Sequence, residues 1–223
     1  MWLGRAVVSL PPLALFRTPS GVVMRAGKTG EFGYETLVPL PLLESARDRL
    51  LSIGQRAEKN TGLLEVPLEV VDRCVLESGG YVARIPGLAG LTPPELQLQW
   101  RTSPRKPYRG RVAAEQRSGP ASKRVAWFGC DSVLAPGAPI ALEGEPCGHV
   151  LFSAPAPARK GAFGVALIER RFSHPGLRFE ADASVVLHSA APPLVEPWSN
   201  RVRPEIDSYA TLDPARFASH GVP

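Results

Sequence analysis

The sequence predicts an α+β portion followed by a small β-barrel. Three observations carry that expectation. Two stretches before residue 80 repeat apolar residues at helical spacing, and short β-like runs precede them. From about residue 123 onward, short strand-like runs recur at even spacing between glycine and proline turns. The 223 residues include 24 prolines and 21 glycines against 7% aromatics, which favours strands and loops over long helices.

Residues 12–17 and 20–26 are β-like runs on either side of Thr18-Pro19-Ser20-Gly21, a turn signal. A third run, Tyr34-Glu35-Thr36-Leu37-Val38, stops at Pro39. Before it, Gly27-Lys28-Thr29-Gly30-Glu31-Phe32-Gly33 places three glycines in seven residues. That density implies a tight turn where backbone approaches something closely. Leu43, Ala46 and Leu50 then recur at i, i+3, i+7, with Leu42 and Leu51 widening the stripe and Glu44, Arg47, Asp48 and Arg49 opposite. This predicts a helix stopping near Gly54. A second helix is expected over 67–77, with Pro67 in its first turn, Leu68, Val71 and Val75 on one face, and Gly79-Gly80 at its end. Leu63-Leu64-Glu65-Val66, between the helices, reads as a strand.

From about residue 84 to 122 the chain reads as irregular, broken by prolines that include Pro86, Pro93, Pro94, Pro104 and Pro107. It carries the bases Arg101, Arg105, Lys106, Arg109, Arg111 and Arg117. Strands follow near 123–129, 138–142, 146–153, 161–169 and 184–188. The organisation expected is an α/β part with connector over 1–114, a barrel over 115–200 and a loosely packed tail over 201–223.

Lysine and arginine exceed aspartate and glutamate by 26 to 21, a formal charge of +5. This permits an anionic ligand. No nucleic-acid motif or aromatic stacking platform accompanies it, so no nucleic-acid partner is expected. The basic run reads either as an anion-binding segment or, more commonly for charge runs, as a solvated loop. Cys74, Cys130 and Cys147 form no CxxC pair, which argues against a disulfide framework or a zinc site and fits reduced thiols in a cytoplasmic protein. His149, His174, His188 and His220 are dispersed, so no metal is expected. No G-x-S-x-G element is present. Gly27-Lys28-Thr29 ends like a phosphate-binding loop, but Val22 stands where that loop needs its first glycine. The N-terminus lacks the layout of a signal peptide, and no apolar run reaches the roughly 20 residues of a membrane helix.

One stretch is more specific. Arg25-Ala26-Gly27-Lys28-Thr29-Gly30-Glu31-Phe32-Gly33-Tyr34-Glu35 resembles the pattern R-T-G-Y-T-G-E-x-G-[FY]-E of glycine-cleavage T-proteins (aminomethyltransferases). The fit holds at every fixed position from Thr29 to Glu35. Further blocks follow in that family's order. Val75-Leu76-Glu77-Ser78-Gly79 is similar to R-L-E-A-G, and the run from Leu91 to Trp100 to T-P-x-E-A-G-L-x-W. Tyr108-Arg109-Gly110-Arg111 is similar to F-x-G-R/K. Gly144-Glu145-Pro146-Cys147-Gly148, running on to Gly161-Ala162-Phe163-Gly164, follows the layout of the family's C-terminal barrel. The resemblance reaches about residue 200.

It implies a fold: the C-terminal part of a T-protein-like folate-binding domain followed by a small β-barrel. It implies a function: a tetrahydrofolate-dependent one-carbon (aminomethyl or methyl) transferase, or one part of a split one, with folate and a small methyl- or methylene-donor as ligands. Glu35 matches the carboxylate that contacts the pterin, where an ionised carboxylate accepts two adjacent N–H donors. Lys28 replaces the family's aromatic, exchanging a stacking face for a cation. Tyr34 and Glu77 complete the implied cofactor-binding set, while Val75 stands where the family has an arginine. The aspartate of the family's N-terminal half matches no residue here, because no acid precedes Glu31. Two readings of that gap stay open here: a truncated open reading frame, or one subunit of a split enzyme whose companion chain supplies the other half. The alternative is a non-catalytic folate-binding or assembly module, like the small subunit of heterotetrameric sarcosine oxidase or a folate-binding iron–sulfur maintenance protein. The latter's K-G-C-Y-x-G-Q-E signature is absent.

Overall fold

The computed structural model describes residues 10–195 except 12, 32, 57–62, 104, 118–121, 157–159 and 183–184. The expected tail over 201–223, His220 and the N-terminal run lie outside the described residues. Two compact units are present, divided between Cys74 and Val75.

The first unit contains a three-stranded antiparallel sheet in the order β1 (Leu15–Thr18), β2 (Gly21–Met24), β3 (Glu35–Leu37). The β1–β2 turn is the expected one. Thr18 Oγ1 donates to the Gly21 carbonyl at 3.1 Å and accepts the Ser20 N–H at 3.2 Å. Gly21 sits at φ +145°, and a Cβ there would lie 2.1 Å from the Leu37 carbonyl oxygen. Helix α1 (Leu43–Arg56) follows, and α2 (Leu68–Glu77) carries the chain across the division between the units. Helix α1 runs two residues past Gly54, since one glycine costs a helix only about 1 kcal/mol. Residues 63–66 pair with no strand among the described residues, so the strand expected there does not form with any of them. Its two leucines project outward, and the bidentate pair between Arg47 and Glu65 (2.9 and 2.6 Å) ties the segment to α1.

The first unit buries little. Among its described residues the buried apolar side chains are Leu10, Val23 and Ala46, whereas Leu37, Leu40, Leu64 and Leu68 are all more than half exposed. The helical stripe expected to pack inward includes Leu43 and Leu50, and both are exposed.

The second unit is a closed six-stranded antiparallel barrel in the order β4-β7-β6-β5-β8-β9. Its strands are β4 (Lys123–Cys130), β5 (Pro139–Leu142), β6 (Glu145–Pro155), β7 (Ala162–Glu169), β8 (Arg178–Ala181) and β9 (Val185–Ala190). Five fall where the sequence predicts them. The unforeseen β8 closes the ring between β5 and β9, with Phe179 and Ala181 inside and Arg178 and Glu180 outside. Phe128, Ile140, Val150, Ile168, Phe179 and Leu187 fill the interior. Two glycines allow this closeness. A Cβ on Gly148 would lie 2.4 Å from the Leu167 carbonyl oxygen, and one on Gly164 would lie 2.3 Å from that of Phe152 and 2.4 Å from the Phe128 ring.

The connector after α2 packs within this second unit, which is why the compact units divide well before the first barrel strand. Trp127 Nε1 donates to the Leu76 carbonyl at 2.9 Å, and the Tyr81 ring lies 5.3 Å from the Trp127 ring. Gln97 Nε2 donates to the Val125 carbonyl at 2.6 Å, and the Val125 N–H to Glu95 O at 2.8 Å. In Thr92-Pro93-Pro94-Glu95 the Glu95 carboxylate accepts from both the Thr92 N–H and hydroxyl at 2.7 Å, so this family-like block is a local cap. The stretch expected to be irregular also holds a short helix, α3 (Arg111–Arg117), braced by an Arg111–Glu115 pair at 2.6 Å. No helix among the described residues is long and apolar enough to cross a membrane.

Two outcomes are expected. Gly164→Ala forces a methyl into backbone and ring, and lowers stability by about 1–3 kcal/mol in urea titration. Gly129→Ala, whose added Cβ has its nearest neighbour at 4.0 Å, stays within about 0.5 kcal/mol. Tyr81 donates its hydroxyl to the Leu96 carbonyl, and burial pushes the phenol's pKa well above its ordinary value near 10. The folded state then holds a proton that the unfolded chain releases. This stability is intact below pH 10 and is lost as pH rises from 10 towards the folded value. Tyr81→Phe flattens that alkaline decline in urea titrations at pH 7 and pH 10.5, and costs about 1–2 kcal/mol at pH 7.

Candidate functional site

The site with the most specific sequence signal is the loop joining β2 to β3. Its ends are fixed by register, because Met24 stands directly opposite Glu35. Arg25, its first residue, is buried and anchors it. The Arg25 N–H donates to Ala14 O at 3.0 Å, its carbonyl accepts the Leu13 N–H at 2.8 Å, and its guanidinium donates to Leu10 O at 2.8 Å.

The loop then folds onto itself. A Cβ on Gly27 would lie 2.3 Å from the Glu31 carbonyl oxygen, and one on Gly33 would lie 3.0 Å from the Gly27 Cα. Gly30 turns the chain at φ +79°. The close approach that three glycines imply is therefore backbone against the loop's own backbone.

This fold brings Lys28 back to Glu35, with Nζ 3.2 Å from Oε1. The lysine side chain is 68% exposed and the glutamate 34%. Such an exposed pair is worth only about 0–1 kcal/mol, so breaking it costs little. Tyr34, next in the chain, has its phenol pKa raised by burial, partly offset by the positive charge of Arg25. Three of the four residues singled out in the sequence therefore share one loop. The Lys28–Glu35 pairing follows from the β2–β3 register, which brings opposite charges together across a glycine turn.

Glu77, the fourth, belongs to the second unit. It closes α2, and its carbonyl accepts the Leu194 N–H at 2.7 Å. Gly79, at φ +84°, and Gly80 cap the helix through N–H bonds to Leu76 O (3.0 Å) and Val75 O (2.8 Å). A Cβ on Gly79 would strike Pro192 at 2.8 Å, which accounts for the glycine of this block. Glu77 also lines a cavity of about 270 Å³ with Cys130, Asp131, Lys160 and His188. Burial raises the pKa of the Cys130 thiol, which donates to Ser132 O at 3.0 Å. No local spacing announces this cavity, because its residues come from separated strands and turns. Among the described residues no three His, Cys, Asp or Glu side chains gather closely enough to hold a metal ion.

No protein-family model matches the sequence. Two curated aminomethyltransferases, from two strains of Leptospira biflexa serovar Patoc, are each 31% identical over 157 residues, which is 68% of this chain and 41% of theirs. The chain thus spans about two fifths of the length of the curated relatives it matches. The crystal structure of glycine cleavage system aminomethyltransferase T from Bartonella henselae superposes with a TM-score of 0.70 at 20% identity, over 84% of this chain and 53% of that one. At that identity the likeness speaks for the fold. Sequence and fold agree: over the part of its relatives' length that the chain spans, both comparisons support the glycine-cleavage T-protein (aminomethyltransferase) superfamily.

Proposed function

We propose that this chain is the pterin-anchoring and barrel part of a tetrahydrofolate-dependent one-carbon transferase. The observation that carries the reading is the Glu35 carboxylate, one-third exposed and held at the mouth of the glycine loop by a displaceable ammonium. In this reading residues 1–114 are the folate-binding portion with its connector, and 115–200 the barrel.

The donor set fits the ligand. A pterin edge presents adjacent N–H donors, and an ionised carboxylate accepts two of them in charge-assisted bonds. Tetrahydrofolate, when bound, supplies the nitrogen that receives the one-carbon unit. Glu35 orients the pterin, and Lys28, 3.2 Å from it, keeps that carboxylate aimed until the ligand takes its place. Tyr34, beside Glu35 in the chain, completes this part of the binding set. Proton transfer to the leaving amine is the work of a carboxylic acid from polypeptide outside these residues, an effect typically worth about 100- to 10,000-fold in rate.

Calorimetry with tetrahydrofolate tests the anchor. Glu35→Ala weakens binding about 10- to 100-fold, the loss of one charge-assisted bonding group. Lys28→Met frees the carboxylate and tightens binding by less than about fivefold, as suits an exposed pair. Equal affinities for wild type and Glu35→Ala would remove the anchor. Binding without turnover, once the remaining polypeptide is supplied, would assign the chain to the non-catalytic module class instead.

A further inference from the structure

The first unit carries a second feature that the pterin anchor does not use. A groove of about 400 Å³ opens between α1 and residues 63–65. One wall is Leu43, Ala46 and Leu50 of α1, and the other is Leu63 and Leu64. The floor is Thr36 of β3 with Val38 just beyond it. Strand side chains alternate, so Thr36 points to the opposite face of the sheet from Glu35. The groove and the Lys28–Glu35 pair are therefore separate surfaces.

We propose that this groove, with the free edge of β3, is the docking site for an extended apolar segment of the polypeptide that completes the fold in the full-length relatives. This rests on the reading above, in which the activity draws on polypeptide outside these residues, whether continuous with this chain or separate from it.

Three observations favour a polypeptide strand over a small molecule. The charged groups at the groove, Arg47 and Glu65, satisfy each other through their two-point pair, so they offer little to orient a small ligand. β3 is an edge strand that, among the described residues, pairs only with β2, which leaves one side of its backbone available to an added strand. The groove walls include Leu63 and Leu64, 52% and 85% exposed, in a unit where few apolar side chains are buried. The occupant has an identifiable source, because the chain spans 41% of its curated relatives and 53% of the superposed crystal structure.

The test uses the full chain and, as a separate polypeptide, the part of the Leptospira biflexa aminomethyltransferase outside the matched 157 residues. Capture of that polypeptide and hydrogen exchange at residues 35–38 are measured. The expected result is a one-to-one complex with slowed exchange at β3. Leu64→Asp should weaken capture about 10- to 100-fold, as expected for one buried leucine replaced by a charge. Because Leu64 is so exposed, the variant chain alone should keep wild-type circular dichroism and melting. Val112→Asp, at an exposed valine in the second unit, should capture as wild type does.

Several results would overturn the proposal. One is the absence of any complex. Another is a complex indifferent to Leu64→Asp. Self-association of the chain abolished by that substitution would give the groove to a second copy. Faster exchange at β3 on deleting residues 196–223 would give it to the chain's own end. Tetrahydrofolate is left out throughout. A groove-dependent complex that later fails to bind folate would therefore count against the proposed function while leaving the docking face intact.

Discussion

Phe128 on β4 lies against Gly164 on β7, its directly paired residue, and the barrel is arranged around that contact. The ring covers backbone where a side chain would otherwise stand, so the two strands approach without leaving a void. Aromatic cover of a strand glycine is a known means of letting a small barrel curve. Gly148 plays a similar part, meeting the Leu167 carbonyl. With these approaches made, Ile140, Ile168, Phe179 and Leu187 fill what remains, and the connector is pinned outside by Trp127, Tyr81 and Gln97.

The barrel was legible in the sequence because short strands with alternating burial leave a local signature. β8 escaped because four residues between Pro175-Gly176 and the next turn are too few to establish a period, although Arg178-Phe179-Glu180-Ala181 alternates perfectly. Leu63–Val66 had the composition of a strand but, among the described residues, no neighbour to pair with, and strand formation depends on the neighbour. α1 showed the correct periodicity, yet periodicity reports which face is apolar and not whether anything covers it. Of the candidate site, the loop and the Glu35 position were readable. The Lys28–Glu35 pair needed the β2–β3 register, and the cavity beside Glu77 needed the whole barrel.

The glycine loop divides its labour. Arg25, Gly27, Gly30 and Gly33 build the loop, each accounted for by a backbone bond, a close approach or a positive φ. Glu35 owes nothing to that construction beyond its position opposite Met24. A residue released from structural duty in a stretch where its neighbours are fully employed is well placed to meet a ligand. The T-P-x-E block is the contrasting case, since its glutamate is consumed in holding Thr92.

The cysteines have a use of another kind. Cys130 and Cys147 lie buried in the barrel with their thiol pKa values raised by desolvation, so the nucleophilic thiolate is scarce while the strands hold. Cys74 lies in the other unit and is less enclosed. An alkylating reagent therefore meets chemically identical groups behind different barriers. The molecule carries its own pair of timers, one for each unit, that record separately how often each lets solvent in.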